Sequence, residues 1–538
     1  MNRPAARTGD RTNLLVGLIT LVALLLRLPL LTQSLWYDEL WSTRLMLGSV
    51  GSLVRVAGAD VHPPAYTLLM FVWIRLFGDS EISVRLIPLV AGLASIVLTA
   101  RLAIDYGWRS AAPIAALILA VAPTHIWYSQ EARPYTFTLA LAVAAVLAFH
   151  GIQQTGAARW YATYALLAVT LAFTHYFAIA YIGVLTVLAW PDRRIRLQML
   201  WIGAGIAALL GAFLIVKSQI GLVVTEAGYL RRFTVRDLWT LPFEWLLTGG
   251  ALGTPASRTV AARAMITAAQ VVFLVLVVRG LLAAPAAKAE ETADHTPLMR
   301  VARRTELPLL VGILPLALLT LGLLGVQRFY IERSALPMLP FLAVAIAIGA
   351  AAARGILWRA AGIAAIVVFG AVTLASYYAK AEQWTVFRPH ADWRAVAARL
   401  SDEHAQSGRP LVVVSMGPAN ELTYYQPGFA LARLDDPPGP STSGAAGMRA
   451  RLARAFALPP DPEAGQVGRI YEPTRPDTSI VHGILDREQT AEIFLTHNAY
   501  WPGESVRMIA AVKADRRLRV ETIFQAKGVQ LLRIRRIT

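Results

Sequence analysis

The sequence predicts a polytopic α-helical membrane protein with a soluble α/β domain at its C-terminal end. Three observations predict this class. Of 538 residues, 56% are hydrophobic, and the mean hydropathy is +0.51, more apolar side chain than a soluble chain carries. Uninterrupted apolar runs of about 20 residues, the length that crosses a hydrocarbon core, recur up to about residue 380. Beyond that point the pattern changes to short strand-like runs separated by turns and helices.

Eleven spans are expected, near 13–32, 83–104, 111–127, 134–150, 161–175, 177–190, 198–217, 260–279, 307–325, 334–353 and 357–377. The first is too long for a signal peptide and lacks an A-x-A-like cleavage site, so it reads as an uncleaved span. Arg3, Arg7 and Arg11 hold the N-terminus in the cytoplasm by the positive-inside rule. With that start, Arg109, Arg159, Arg193, Arg194, Arg196, Arg300, Arg303 and Arg304 also fall inside. The run "PPAYTLLMFVWIRLFG" opens with two prolines and contains Arg75. Counting it as a span would put the Arg-rich loops outside. It therefore reads as an amphipathic helix lying in the membrane plane, within a first outer loop at 33–82. The expected domains are a transmembrane part, 1–378, and a periplasmic α/β part, 379–538. The latter contains a buried strand, a turn and a helix start at Asn420 in "RPLVVVSMGPANELTYY", and a hairpin around Lys527-Gly528 in "LRVETIFQAKGVQLLRIRRI". "LDDPPGPSTSGAAG" reads as a loop between them. The protein is expected in a bacterial inner membrane.

The chain has no cysteine, which excludes disulfides, thiolate catalysis and Cys-ligated metal. Its net charge of +17 fits both positive-inside topology and contact with phosphates of lipids or a substrate. No nucleic-acid module accompanies the basic residues, so nucleic acid is not an expected partner. The short cytosolic loops hold no nucleotide-binding motif.

The polar outliers gather on the outer side. "LTQSLWYDELWSTRL" sets Asp38 and Glu39 among Trp36, Tyr37 and Trp41, and the same loop adds Asp60, His62 and Glu81. "YSQEARPY" supplies Gln130, Glu131, Arg133 and Tyr135. "THYFA" supplies His175 and Tyr176, and "QRFYIERSALPMLP" supplies Arg328, Glu332 and Arg333. Each has a structural alternative. Glu131 and Arg133 can pair with each other, and His62 before two prolines can be a helix cap. Their conjunction on one face is what points to function, because ionisable groups at membrane depth are costly. Sugar nucleotides do not reach that face, so an activated sugar must arrive on a lipid phosphate. Glycosyl transfer from such a donor needs a carboxylate to take the acceptor's proton and cations to hold the leaving phosphate.

Six segments in order carry a resemblance: "WYDELWS", "DVHPPAYTLLM", "EISVRLIPLVAGL", "YSQEARPYTFTLAL", "ERSALPMLP" and "DWRAVAARL". Together they resemble the GT-C superfamily of membrane glycosyltransferases, in particular the bacterial dolichyl-phosphate-mannose protein mannosyltransferase-like family (glycosyltransferase family 39). They are also similar to the lipid A aminoarabinose transferases. The resemblance implies an inverting glycosyltransferase using a polyprenyl-phosphate sugar donor and a glycan, lipid or protein acceptor of the cell envelope. It implies Asp38 as general base with Glu39 beside it. Arg133, Arg333 and Arg328 are implied at the donor phosphate, and Asp60, His62, Glu131, Tyr135, His175 and Tyr176 at substrate. No cofactor is required, and a divalent metal at Asp60, His62 and Glu39 stays open. Ser334 stands where the family's late motif has Tyr, which weakens the protein O-mannosylation reading. A polytopic transporter, or a non-catalytic assembly factor for surface polysaccharide, is the alternative from another class. Replacement of Asp38 separates the enzyme from either.

Overall fold

The computed structural model describes residues 4–43, 62–220, 230–289, 297–327, 329–352, 355–379, 383–387, 389–416, 420–432, 466–471, 478–498, 502–526 and 528–537. Asp60, Arg328 and the loop 434–447 lie outside them. The chain forms two compact units, neither contiguous in sequence. One comprises Met1–Leu31, Ala57–Leu69 and Val84–Pro389; the other comprises Thr32–Val56, Met70–Ser83 and His390–Thr538.

The first unit is a helical bundle, and helix covers much of each expected span. Seven helices are long and apolar enough to cross a membrane among the described residues. They are Glu81–Asp105, Tyr135–Thr155, Arg193–Ser218, Val260–Ala284, Arg304–Leu323, Glu332–Ala351 and Leu357–Tyr378. The pair Arg109–Val121 and Pro123–Ser129, bent by 65°, makes eight if it counts as one span. Pro4–Arg27, Ala158–Ala172 and Ile179–Leu188, which complete the expected eleven, are helices that do not reach that measure. The run expected to lie in the membrane plane is the helix Ala65–Phe77.

Leu339–Ala351 is the innermost helix, with all thirteen residues buried. It crosses Val260–Ala289 at backbone contact. A Cβ on Gly280 would lie 1.8 Å from the Ala345 carbonyl oxygen, and one on Gly349 would lie 1.9 Å from that of Leu276. Lipid-embedded helices gain contact by such small-residue approaches, because lipid offers no hydrophobic drive to associate.

The bend at Ala122 has an identifiable cause and compensation. Pro123 has no N–H to give the Leu119 carbonyl, so the ladder opens there. The buried Arg27 guanidinium donates instead, to Leu119 O and Ala120 O at 3.2 Å each. Its Nη2 also meets His125 Nδ1 at 2.7 Å, and His125 Nε2 lies 2.9 Å from Ser95 Oγ. Ser95 donates onward to Gly92 O at 2.6 Å. One tautomer satisfies the chain: Nδ1 accepts and Nε2–H donates.

In the second unit six strands form one sheet in the order β2-β3-β1-β4-β6-β5. They are β1 (Leu411–Met416), β2 (Phe429–Ala432), β3 (Gly468–Tyr471), β4 (Glu492–Asn498), β5 (Leu518–Ala526) and β6 (Val529–Arg536). The first four strands are parallel, and β6 joins β4 and β5 antiparallel. The period of two in β1 explains why Leu411–Val414 are all apolar. Leu411 and Val413 face a core with Trp393, Val396 and Leu400, while Val412 and Val414 face Val481, Ile484, Leu485 and Met508. The expected strand, the helix from Asn420 and the hairpin at Gly528, whose φ is 69°, are all present.

Two pieces of the first loop join this unit through polar contacts. Ser34 Oγ donates to Asp392 Oδ1 at 3.3 Å, 358 positions away. Tyr425 OH receives the Leu35 amide at 2.7 Å and donates to Glu81 at 3.1 Å, while Arg394 pairs with Glu81.

Candidate functional site

Within the bundle, four chain segments bring expected site residues together. Pro134 opens the helix Tyr135–Thr155, and Thr136 Oγ1 fastens its first turn to Pro88 O at 2.9 Å. This fixes the short loop that carries Glu131 and Arg133, both buried. Ala65 N donates to Phe173 O at 2.7 Å. That bond ties the segment carrying His62 to the turn carrying His175, and the two imidazoles lie 5.4 Å apart. The 3-10 turn Glu332–Met338 packs on the helix Tyr135–Thr155 and brings Arg333 with it.

The centre of the cluster is Tyr135. His62 lies 5.9 Å from its ring and His175 6.4 Å. The Arg333 guanidinium carbon is 5.7 Å from the ring centroid, within cation–π range. Arg133 Nη2 is 3.3 Å from His62 Nδ1. Since an arginine only donates, His62 Nδ1 accepts there and a neutral His62 carries its proton on Nε2. Tyr176 stands at the edge, with Lys217 Nζ 5.9 Å from its ring centre. Two arginines, a lysine and two histidines thus surround aromatic faces, with Glu131 as the acid of the motif loop. Such a set suits an anion whose attached chain is apolar.

The acidic pair belongs to the second unit. Asp38 and Glu39 open the short helix Tyr37–Thr43. Glu39 is fully buried, its Oε2 lying 3.3 Å from His390 Nδ1 and 3.4 Å from the Trp36 amide nitrogen. Trp36 and His390 also pack ring to ring at 5.5 Å. This arrangement makes Glu39 the anchor of the helix start and leaves Asp38, half-buried, as its neighbouring acid. Of the expected metal trio Asp60, His62 and Glu39, Asp60 lies outside the described residues. No group of three His, Asp or Glu among the described residues is arranged to hold a metal.

Several residues of these surroundings carry no motif in the sequence. His390 sits far along the chain from Glu39, and only the fold pairs them. Lys217 reads as the end of an apolar span. Arg231 lies in no motif, yet it grips Glu332 and Asp237. Burial opposes the Asp237 charge, but hydrogen bonds from Arg231 and Thr234 prevail and hold its carboxyl below the usual range.

The helical bundle with its broken third span, and the α/β unit, make up a fold that known structures share. Over 97% of this chain and 98% of the other, the structure is similar to ArnT from Cupriavidus metallidurans bound to undecaprenyl phosphate, with a TM-score of 0.51 and 14% identity. The archaeal oligosaccharyltransferase AglB from Archaeoglobus fulgidus, in complex with an inhibitory peptide and a dolichol-phosphate, matches at TM-score 0.46 and 12% identity, covering 96% of this chain and 73% of that one. Residues 61–216 match the family model of dolichyl-phosphate-mannose-protein mannosyltransferases. A search of curated protein sequences gives no match. The resemblance read from the six motifs is therefore met by both the family model and the fold.

Proposed function

We propose that the protein is an inverting glycosyltransferase of the bacterial inner membrane, moving a sugar from a polyprenyl-phosphate donor to a cell-envelope acceptor at the outer face. The observation that carries this reading is the convergence of Arg133, Arg333, His62 and His175 around Tyr135, from four segments. Arg133 and Arg333 are proposed to hold the donor phosphate, with Arg328 as a third cation. Their charge disperses the negative charge that grows on the phosphate as the glycosidic bond breaks. His62, Glu131, Tyr135, His175, Tyr176 and Asp60 are proposed to line the donor and acceptor. Asp38 takes the proton of the acceptor hydroxyl as its oxygen attacks the anomeric carbon. A single displacement inverts that carbon, so no second carboxylate acts as nucleophile. Glu39, held by His390, keeps Asp38 at the start of its helix.

The test uses purified protein, a defined lipid-linked sugar, and separate measurements of binding and turnover. Asp38→Asn keeps size and most hydrogen bonding but removes the base. Transfer should fall by about 10²–10⁴-fold, the usual contribution of a general base, with donor binding retained. Unchanged transfer would exclude Asp38 as the base. A larger loss with Glu39→Gln would move that role to Glu39.

A further inference from the structure

We infer that Arg231 is a positioning residue that holds Arg333 in place for the lipid phosphate; this rests on the proposed phosphate role of Arg333. Arg231 stands on the segment after the helix Arg193–Ile220, and Arg333 lies about a hundred positions further on. The two stretches meet as a single antiparallel bridge. Arg231 N donates to Tyr330 O at 2.9 Å and Tyr330 N to Arg231 O at 3.0 Å. The Arg231 side chain then closes over the same segment. Its Nε and Nη2 reach Glu332 Oε1 at 3.1 and 2.8 Å, and its guanidinium carbon lies 4.8 Å from the Tyr330 ring centre.

The far side of the guanidinium is fixed as well. Asp237 receives Nη1 and Nη2 in a fork, at 2.9 and 2.6 Å. Asp237 is itself buried and held by the Thr234 amide and hydroxyl, each at 2.7 Å. Beneath the clamp the buried Phe233 and Tyr330 rings meet edge to face at 4.8 Å. A planar fork joined to two carboxylates has one low-energy orientation, whereas a lysine would swivel. Glu332 is thus immobilised, and Arg333 is the next residue. The clamp also neutralises Glu332, whose charge would otherwise compete with a phosphate for Arg333. Arg231 therefore acts on the site through geometry and charge.

The test measures binding of undecaprenyl phosphate alone to Arg231→Ala, Arg231→Lys, Arg333→Ala and the Arg231→Ala/Arg333→Ala double variant, each checked for native elution and thermal unfolding. Arg333→Ala should weaken binding by about 10–100-fold and Arg231→Ala by about tenfold, with the double variant no weaker than Arg333→Ala. Arg231→Lys should fall between native and Arg231→Ala. In turnover, Arg231→Ala should raise the donor KM while kcat at saturating donor stays near native. A merely structural lesion would instead lower kcat. If Arg333→Ala binds weakly while Arg231→Ala binds as the native protein does, the positioning role is wrong and the phosphate role of Arg333 survives. Additive losses in the double variant would likewise overturn the coupling. If Arg333→Ala binds normally, the phosphate role itself fails and takes this inference with it. Should Arg231→Ala not fold, the lysine variant decides: native affinity and native KM would contradict the clamp.

Discussion

The two ends of the helix Tyr135–Thr155 handle charge in opposite ways. At its start, Tyr135 sits among Arg133, Arg333, His62 and His175. Fifteen residues on, about 22 Å at helical rise, His150 is buried between two carboxylates. Its Nε2 is 2.6 Å from Glu306 and its Nδ1 3.5 Å from Asp105. Tyr106 adds a hydrogen bond to Glu306 at 2.7 Å, and Arg101 pairs with Asp105 at 2.8 Å. The His150 end has acids and bases in near balance and ties three helices together. The Tyr135 end gathers mainly cationic groups from loops. Buried carboxylates that hold a histidine between them brace the helices they join, whereas arginines and histidines gathered from loops suit the proposed contact with an anion. The same helix is therefore a fixed strut at one end and a wall of the proposed site at the other.

This contrast can be broken by exchanging the symptoms. Glu306→Ala removes the carboxylate that meets His150 Nε2 and the Tyr106 hydroxyl, and breaking a buried pair in this way costs about 3–5 kcal/mol. Thermal unfolding should reveal that loss, while the folded fraction still binds undecaprenyl phosphate with native affinity. Arg133→Ala should do the reverse. It should weaken lipid-phosphate binding by about 2–5 kcal/mol, as for loss of one partner from a buried charged contact, and change unfolding less than Glu306→Ala does. If Glu306→Ala abolishes binding in folded protein, the two ends are not separable and the contrast is wrong.

Smaller effects sharpen the picture. Gly349→Ala would press a methyl group onto the Leu276 carbonyl, and overpacking of this kind costs about 1–3 kcal/mol. It should lower the unfolding temperature and leave donor KM unchanged, since the crossing it disturbs holds none of the site residues. The smallest effect concerns pH. The Asp237 carboxyl titrates below its usual range in the folded protein, so its contribution is fully present above the ordinary aspartate pKa and is lost as pH falls through the lowered value. Protection of the Tyr330 amide hydrogen relative to its intrinsic exchange rate should therefore fall on strong acidification but not between neutral pH and about pH 5. Asp237→Asn should remove that dependence.

Much of the fold was legible because apolar periodicity is a local property. The apolar helices, the helix from Ala65, the strand at Leu411 and the hairpin at Gly528 all follow from residues near one another in sequence. Part of the proposed site follows from sequence for the same reason, since Glu131, Arg133 and Tyr135 share one short motif. What could not be read is partner choice across the chain. Arg27, in no motif, donates to the carbonyls of Leu119 and Ala120 where Pro123 opens the helix ladder. Glu39 is read from the sequence as the neighbour of Asp38, and the packed chain adds His390 against it. Arg231 sits in no motif at all. Each of these pairings is set by tertiary packing, and no local pattern encodes it.

If the Tyr135 end takes a lipid phosphate and not merely a lipid, charge must decide the affinity. The most direct measurement compares undecaprenyl phosphate with undecaprenol, which has the same apolar chain and no charge, binding to the native protein in detergent at moderate salt. The account predicts that the phosphate binds at least about tenfold more tightly, in keeping with charge-assisted contacts, and that Arg133→Ala or Arg333→Ala removes most of this preference. Equal affinity for the two lipids, or a preference that survives both substitutions, would contradict it.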